Sequence, residues 1–391
     1  MTKNQPRSVN GVPFFRPTIG KEEIAEVVDC LENGWLTTGA KALKFEDEFA
    51  SFIGGDGLEA VAVNSATAAM HLALEALGVG PGDEVIVPSY TFTATAEVIR
   101  YLGANPVFVD CDYATFNMRP SDFSGAITSA TKVVMPVHFA GLPCDMTAIC
   151  EIASEHGIKV VDDAAHALPA RHKRRMIGDC GADATAFSFY ANKTMTTGEG
   201  GMLVTRNPHI AERAKRMRLH GISRDVFNRF TDRKASWRYD IVAPGFKYNL
   251  TDIAAGIGLH QLKRVEEFRK DRERQCARYD EELSDLSLIL PATAEIGDLH
   301  SRHLYIVRLG DSHPIARDRA IEQLQSRNIG VSVHYTPLHR MTYWAESCGL
   351  MPDDFPNSES IGNSCISLPL FPGMTVDEQT YVIEALHDIF S

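Results

Sequence analysis

Between residues 60 and 205, short runs of β-branched and other apolar residues alternate with longer stretches whose apolar positions recur every three or four residues. The short runs predict strands buried on both faces and the longer stretches predict amphipathic helices. Their alternation predicts a mostly parallel sheet wrapped by helices. Strands are expected at 60–63, 84–88, 106–110, 133–137, 159–162, 184–189 and 201–205. Helices are expected between them, as at 67–77, where Met70, Leu74 and Leu77 share a stripe, and at 145–155. The last two strands are joined by a short link, so the sheet is expected to be mixed at that end.

Upstream, Ile24, Val27, Val28 and Leu31 fall at helical spacing over 21–32, and Gly34 follows as a C-terminal cap. Downstream, an irregular stretch at 223–245 leads into a long helical region at 251–286, whose length suggests a connector between domains. The remainder reads as a smaller α+β unit with strands near 304–309 and 331–334 and a final helix near 376–389. The expected division is a large domain at 13–250, the connecting helical region at 251–286 and a small domain at 287–391.

The 391 residues are 44% hydrophobic and 23% charged, which suits a globular protein of two or three domains with real cores. A net charge of -12 argues against a nucleic-acid or membrane partner, since both need a basic face, and favours small molecules. No apolar stretch approaches the roughly 20 residues that span a bilayer. The polar start, Met1 to Arg7, lacks the apolar core of a secretory signal, so a cytoplasmic location is expected. Eight cysteines without a CxxC pair fit reduced thiols better than disulfides or a metal site.

In open α/β sheets ligands sit outside the carboxyl ends of the strands. Three groups of residues stand there. Ser65-Ala66-Thr67 follows a strand and opens a helix, where backbone N–H groups and the helix dipole would hold a phosphate, although Ser and Thr are also ordinary N-caps. Asp162-Asp163 ends an apolar strand, and a buried carboxylate there needs a cationic or hydrogen-bonding partner, such as a protonated pyridine nitrogen. A helix cap is the plainer reading for Asp162. Lys193 sits between a strand and the turn Gly198-Glu199-Gly200-Gly201, where a desolvated amine could lose its proton and form a Schiff base. The spacing is neither that of a P-loop nor that of a dinucleotide fingerprint.

A phosphate cradle, an Asp at a strand end and a lysine about thirty residues later resemble a fold-type I pyridoxal-phosphate enzyme. More closely, Asp162-Asp163-Ala164-Ala165-His166-Ala167, the Ser188 to Lys193 segment with its Gly-Glu-Gly-Gly, and Pro244 to Ile253 resemble the DegT/DnrJ/EryC1/StrS family of sugar aminotransferases. The likeness runs from about Pro13 to the C-terminus. It implies an α/β fold whose large domain holds a mixed, mostly parallel seven-stranded sheet, with a smaller C-terminal α+β domain, and pyridoxal 5'-phosphate as cofactor, passing through pyridoxamine phosphate.

Carried over residue by residue, the resemblance makes Lys193 the Schiff-base lysine and later the proton-moving base, and Asp163 the partner of the pyridine nitrogen. His166 falls near the cofactor's phenolic oxygen and Phe92 at the stacking aromatic. Ala66, Thr67 and Ser188 match the phosphate ligands. Asn249, or Lys247 where many relatives have Asn, would reach the phosphate from a neighbouring subunit, which implies a homodimer with shared active sites. Thr37, Tyr190, Arg229 and His334 are implied at the substrate. The amino donor would be glutamate and the acceptor a nucleotide-linked keto sugar. The Lys-Tyr-Asn variant at 247–249, His303-Leu304-Tyr305 and Ser367 to Pro372 look like the subgroup that makes 4-amino sugars on UDP carriers.

From Arg206 to Arg238 ten Lys or Arg face three acids, a composition suited either to a lid over a pyrophosphate or to a solvated surface. Phe227 and Trp237 in that stretch could stack on a base or pack as core. Competing functions are a lyase or dehydratase, transfer to a non-nucleotide cyclitol, and a non-catalytic regulatory relative. Family members that dehydrate sugars carry His in place of the lysine, so Lys193 favours transfer.

Overall fold

The computed structural model describes residues 9–223, 239–310 and 313–390. Arg229, Phe227, Trp237 and the polar residues 1–7 lie outside them. The alternating pattern produces a seven-stranded sheet from β1 (Glu59–Val63), β2 (Glu84–Pro88), β3 (Asn105–Val109), β4 (Thr131–Val134), β5 (Lys159–Asp163), β6 (Ala184–Ser188) and β7 (Gly201–Thr205). The spatial order is β1-β7-β6-β5-β4-β2-β3. Only β7 runs against its neighbours, pairing antiparallel with β6 and β1, as the short β6–β7 link requires. Each expected strand is present; β4 stops early because Pro136 cannot donate to the ladder.

Successive side chains of a strand point to opposite faces. Val160 accordingly packs in the core that holds Phe45, Phe49, Phe187 and Phe189, and Val161 in the core that holds Leu72, Leu74, Val85 and Ile99. The second core is covered by α3 (Ala66–Ala76) and α4 (Ala94–Tyr101). The first is covered by α2 (Ala40–Ile53) and by α6 (Met146–His156). Helix α1 (Lys21–Glu32), α5 (Pro120–Gly125) and α7 (Pro208–Met217) complete the layer set.

Helix α8 (Asp252–Glu282) runs 31 residues, about 46 Å at 1.5 Å per residue. Thr251 caps its start by accepting the Ala254 N–H. Its first half packs on α1 and α2, and Cys276 and Tyr279 of its second half enter a separate C-terminal core. That core backs a three-stranded antiparallel sheet of β8 (Leu288–Ile289), β9 (Tyr305–Leu309) and β10 (Cys365–Leu368), with α9 (Arg317–Ser326) and α12 (Val376–Phe390) against it. Between them lie α10 (Thr342–Cys348) and α11 (Pro356–Ser364). Val12 is part of the same core, held by backbone bonds to Asn328 and Gly330.

The strand expected at 331–334 is not formed. Only Ser332 bridges to Ser367, after which the chain leaves the sheet and turns toward the strand ends of the large sheet. The partner strand is β10, a four-residue run that the pattern did not mark. Among the described residues no helix is long and apolar enough to cross a membrane.

Candidate active site

A cavity of about 360 Å³ opens at the carboxyl ends of β1, β2, β5 and β6. Ser65, Ala66 and Thr67 follow β1, Thr91 and Phe92 follow β2, Asp163 ends β5 and Ser188 ends β6. His166, Tyr190, Lys193 and, from the C-terminal unit, His334 and Tyr335 close it. Nine of the predicted residues, far apart in sequence, therefore line one cavity together with Ser65, Thr91 and Tyr335.

At one end the N-terminus of α3 points into the space. Ser65 is the N-cap and accepts the Ala68 N–H at 3.1 Å, which leaves the Ala66 and Thr67 N–H groups without an acceptor in the helix. Gly201 makes this end possible: a Cβ on it would lie 2.4 Å from the Ser65 carbonyl carbon, so only glycine lets β7 pass so close to the helix start. The Thr67 and Ser188 hydroxyls add neutral donors, and the dipole favours an anion.

At the other end stands Asp163. The Thr95 hydroxyl donates to Oδ2 at 2.8 Å and the Ala165 N–H to Oδ1 at 3.0 Å. Burial raises the carboxyl above its ordinary range, against these two donors and the charge of Lys193. Asp162, one residue earlier, faces the opposite side of the sheet. No helix follows β5 for it to cap; its Oδ2 lies 2.9 Å from His138 Nε2. His138 Nδ1 accepts the Cys144 N–H at 3.0 Å, so the proton sits on Nε2 and is donated to Asp162.

Lys193 follows the Tyr190 turn, with its N–H donated to the Tyr190 carbonyl at 3.0 Å. Burial of the amine pushes it down to about 8, partly offset by Asp163. A lysine so placed offers a neutral nucleophile far more readily than a solvated one. Phe92 is 56% exposed, its ring tilted 46° to that of Tyr335 with centroids 5.8 Å apart.

His166 is buried, and its Nε2 is 3.1 Å from the Tyr335 hydroxyl. Burial, Lys193 and His334 hold its imidazole well below the ordinary value, so it is neutral. His334 is pushed down to about 4 by burial and by Lys193, and its Nδ1 lies 2.9 Å from Ser367 Oγ. Thr95 was not marked in the sequence, and Tyr335 only as part of the 334–339 segment that resembles the family's cleft-closing one, not as a partner of His166. Their partners are 68 and 169 residues away, and spacing gives no sign of such pairs.

Three predicted residues stand away from the cavity of their own chain. Thr37 is exposed, and its carbonyl accepts the Asp252 N–H. The Asn249 amide donates to Thr38 Oγ1 at 2.7 Å, and Lys247 is exposed. The described cations of the basic stretch sit in ion pairs: Arg206 with Asp179, Arg213 with Glu75, Lys215 with Glu59, Arg216 with Glu212 and Arg218 with Glu46; the stretch's remaining cations, from Arg224 to Arg238, lie outside the described residues.

The donor set fits one kind of guest. An anion belongs at the α3 N-terminus, a cationic ring nitrogen at the buried Asp163 carboxylate, and an electrophilic carbon near the Lys193 amine. His166, whose Nδ1 is buried without a partner, lines this same space. Pyridoxal phosphate carries these three groups.

The family model for DegT/DnrJ/EryC1/StrS aminotransferases matches residues 17–387. The spore coat polysaccharide biosynthesis protein SpsC of Bacillus subtilis is 46% identical over 381 residues, 97% of this chain and 97% of its own. The solved structure of Spr1654 from Streptococcus pneumoniae, a candidate sugar aminotransferase in its PMP-form, superposes with a TM-score of 0.90 at 36% identity, covering 97% of this chain and 99% of that one. Its PLP-form is also similar, with a TM-score of 0.89. The aminotransferase TlmJ from Streptoalloteichus hindustanus gives a TM-score of 0.88 at 33% identity, covering 96% and 98%.

Proposed function

Because the chain belongs to the DegT/DnrJ/EryC1/StrS aminotransferase family and is a pyridoxal-phosphate enzyme of fold type I, we propose that it moves an amino group from glutamate to a keto carbon of a nucleotide-linked sugar. The observation that carries this reading is the Lys193 amine, lowered to about 8, in a cavity between the Asp163 carboxylate and the N-terminus of α3. The cofactor supplies an electron sink for the carbon that exchanges its amine.

The chain's own groups do the rest. The Ala66 and Thr67 N–H groups and the Thr67 and Ser188 hydroxyls bind the phosphate. Asp163 would pair with the pyridine nitrogen and keep it protonated, Phe92 would cover the ring, and His166 would stand at the phenolic oxygen. Lys193 Nζ would hold the cofactor at its aldehyde and would serve as the base that moves the proton at the substrate carbon. Tyr190 and His334 face the substrate from the rim.

A second copy of the chain completes the site in this reading. Ile24, Val28 and Leu31 form an exposed apolar stripe on α1, with Leu36 beside it, as an interface would need. Lys247, exposed while the Asn249 amide is engaged by Thr38, is the group that reaches the neighbouring phosphate. Residues 13–250 form the cofactor domain, and the unit at 287–391 serves as its lid. SpsC's link to spore coat polysaccharide supports an amino sugar for a surface glycan as product; the acceptor in this reading is a 4-keto sugar on UDP.

The test is the visible absorbance of the purified protein. Lys193→Ala is expected to lose both that band and turnover, and normal amino transfer by the variant would overturn the mechanism.

A further inference from the structure

Tyr90 lies behind the cavity, two residues past β2, and is fully buried. Its hydroxyl donates to the His334 carbonyl at 2.7 Å and accepts the Tyr335 N–H at 2.9 Å, so it satisfies both polar groups of one peptide unit. Cys365 Sγ of β10 is 3.2 Å from the same oxygen. Phe116 and Phe139 pack against the ring, with centroids at 5.6 and 5.3 Å, and fix where the hydroxyl points.

That peptide unit joins the two side chains that the C-terminal unit presents to the cavity. His334 is held from the far side by Ser367, and Tyr335 reaches His166 Nε2 at 3.1 Å. Buried peptide groups need partners, and after Ser332 the chain has left the sheet that would supply them. The phenol of Tyr90 takes the place of a strand.

We propose that Tyr90 is a positioning residue, whose hydroxyl fixes the His334–Tyr335 peptide so that Tyr335 meets His166 beside the cofactor's phenolic oxygen. The proposal rests on the reading of this cavity as an aminotransferase site. Burial drives the Tyr90 phenol far above its ordinary value, so the hydroxyl keeps its proton and both donates and accepts across the working pH range. A displacement near 1 Å in a catalytic constellation costs on the order of 100-fold in rate, and a 3.1 Å contact does not survive one.

The fold does not hang on this hydroxyl alone. The Leu338 N–H donates to the Ser89 carbonyl at 2.9 Å, and Ser89 Oγ lies 2.8 Å from His339 Nδ1, so the segment is clasped a second time. Tyr90→Phe is therefore expected to fold.

The test compares the holoenzyme of Tyr90→Phe with Tyr335→Phe and with Tyr279→Phe, a fully buried tyrosine that donates to the Pro369 carbonyl at 3.0 Å far from the cavity. Tyr90→Phe and Tyr335→Phe are expected to lower kcat by roughly 10- to 100-fold with little change in KM for the amino donor. Both should move the pH titration of the cofactor's visible band in the same direction. The double variant should be no worse than the worse single one. Tyr279→Phe should lower Tm and leave kcat and the band unchanged. In a crystal structure of Tyr90→Phe the Tyr335 hydroxyl should stand beyond about 3.5 Å from His166 Nε2.

An unchanged kcat and band in Tyr90→Phe, multiplying effects in the double variant, or the same changes in Tyr279→Phe would each overturn the proposal. Should Tyr90→Phe fail to fold, 4-aminophenylalanine at position 90, which donates to the His334 carbonyl but accepts the Tyr335 N–H poorly, carries the test, and an unshifted band with full kcat overturns it. Failure of the unaltered enzyme to aminate any keto sugar would count against the functional reading instead, because the band and the crystal structure still report on Tyr90.

Discussion

The Thr95 hydroxyl donates to Asp163 Oδ2 at 2.8 Å and opposes the burial that raises this carboxyl. In the proposed function Asp163 is an anion against a protonated ring nitrogen, so activity should fall as pH drops through its raised pKa. Thr95→Val removes a donor to the charged form and moves that acid limb to higher pH. At neutral pH kcat should fall on the order of tenfold, the worth of a hydrogen bond to a charged group. A kcat profile superimposable on that of the unaltered enzyme would contradict the role given to this pair.

Lys193 must be neutral to capture the cofactor. Its amine is lowered to about 8 by burial, so the rate of cofactor uptake by the apo-protein should rise tenfold per pH unit below about 8 and level above it. A solvated lysine would keep rising toward its ordinary value near 10.4. Stopped-flow absorbance against pH separates the two.

Gly201→Ala places a Cβ 2.4 Å from the Ser65 carbonyl carbon, both of them backbone-bound and unable to yield. The cradle at the start of α3 should be pushed out of line. Cofactor affinity, measured by fluorescence titration of the apo-protein, should weaken at least about tenfold, the cost of one misaligned charge-assisted hydrogen bond. Equal affinity would remove the α3 N-terminus from the phosphate site.

Much of this arrangement was legible in the sequence, for local reasons. Strands β1 to β7 announce themselves because both faces are buried and the runs are nearly all apolar. Asp163 and Lys193 stand out because polar groups end such runs. What stayed hidden depends on chain segments meeting across long distances. The pattern Ser332-Val333-His334 reads as a strand, yet Tyr90 captures the peptide after His334 and draws it to the cavity. Asp162 looks like a cap until His138 is found against it, and Thr95 looks like an ordinary helical residue until its hydroxyl is seen at Asp163. In the basic stretch, composition does not show that Arg213 and Arg218 already have Glu75 and Glu46, and its residues 224–238 lie outside the described ones.

The proposal that two copies of the chain share each site makes a specific forecast for mixed subunits. Lys247→Ala and Lys193→Ala are each expected to be inactive or nearly so alone. Unfolded together and refolded, random pairing leaves about a quarter of the sites with both lysines intact, one from each chain. Activity near that fraction supports a site built by two copies. No recovery in verified mixed dimers would show that Lys247 does not serve the neighbour.

The central claim is amino transfer to a nucleotide-linked keto sugar. It is tested most directly by incubating the holoenzyme with nitrogen-15 glutamate and a panel of 3-keto and 4-keto sugars on UDP and other nucleotides, beside free cyclitol ketones, and following products by mass. Labelled nitrogen is expected in a nucleotide-linked 4-amino sugar, and Lys193→Ala should give none. Label in a free cyclitol amine, with every nucleotide sugar returned unchanged, would contradict the claim.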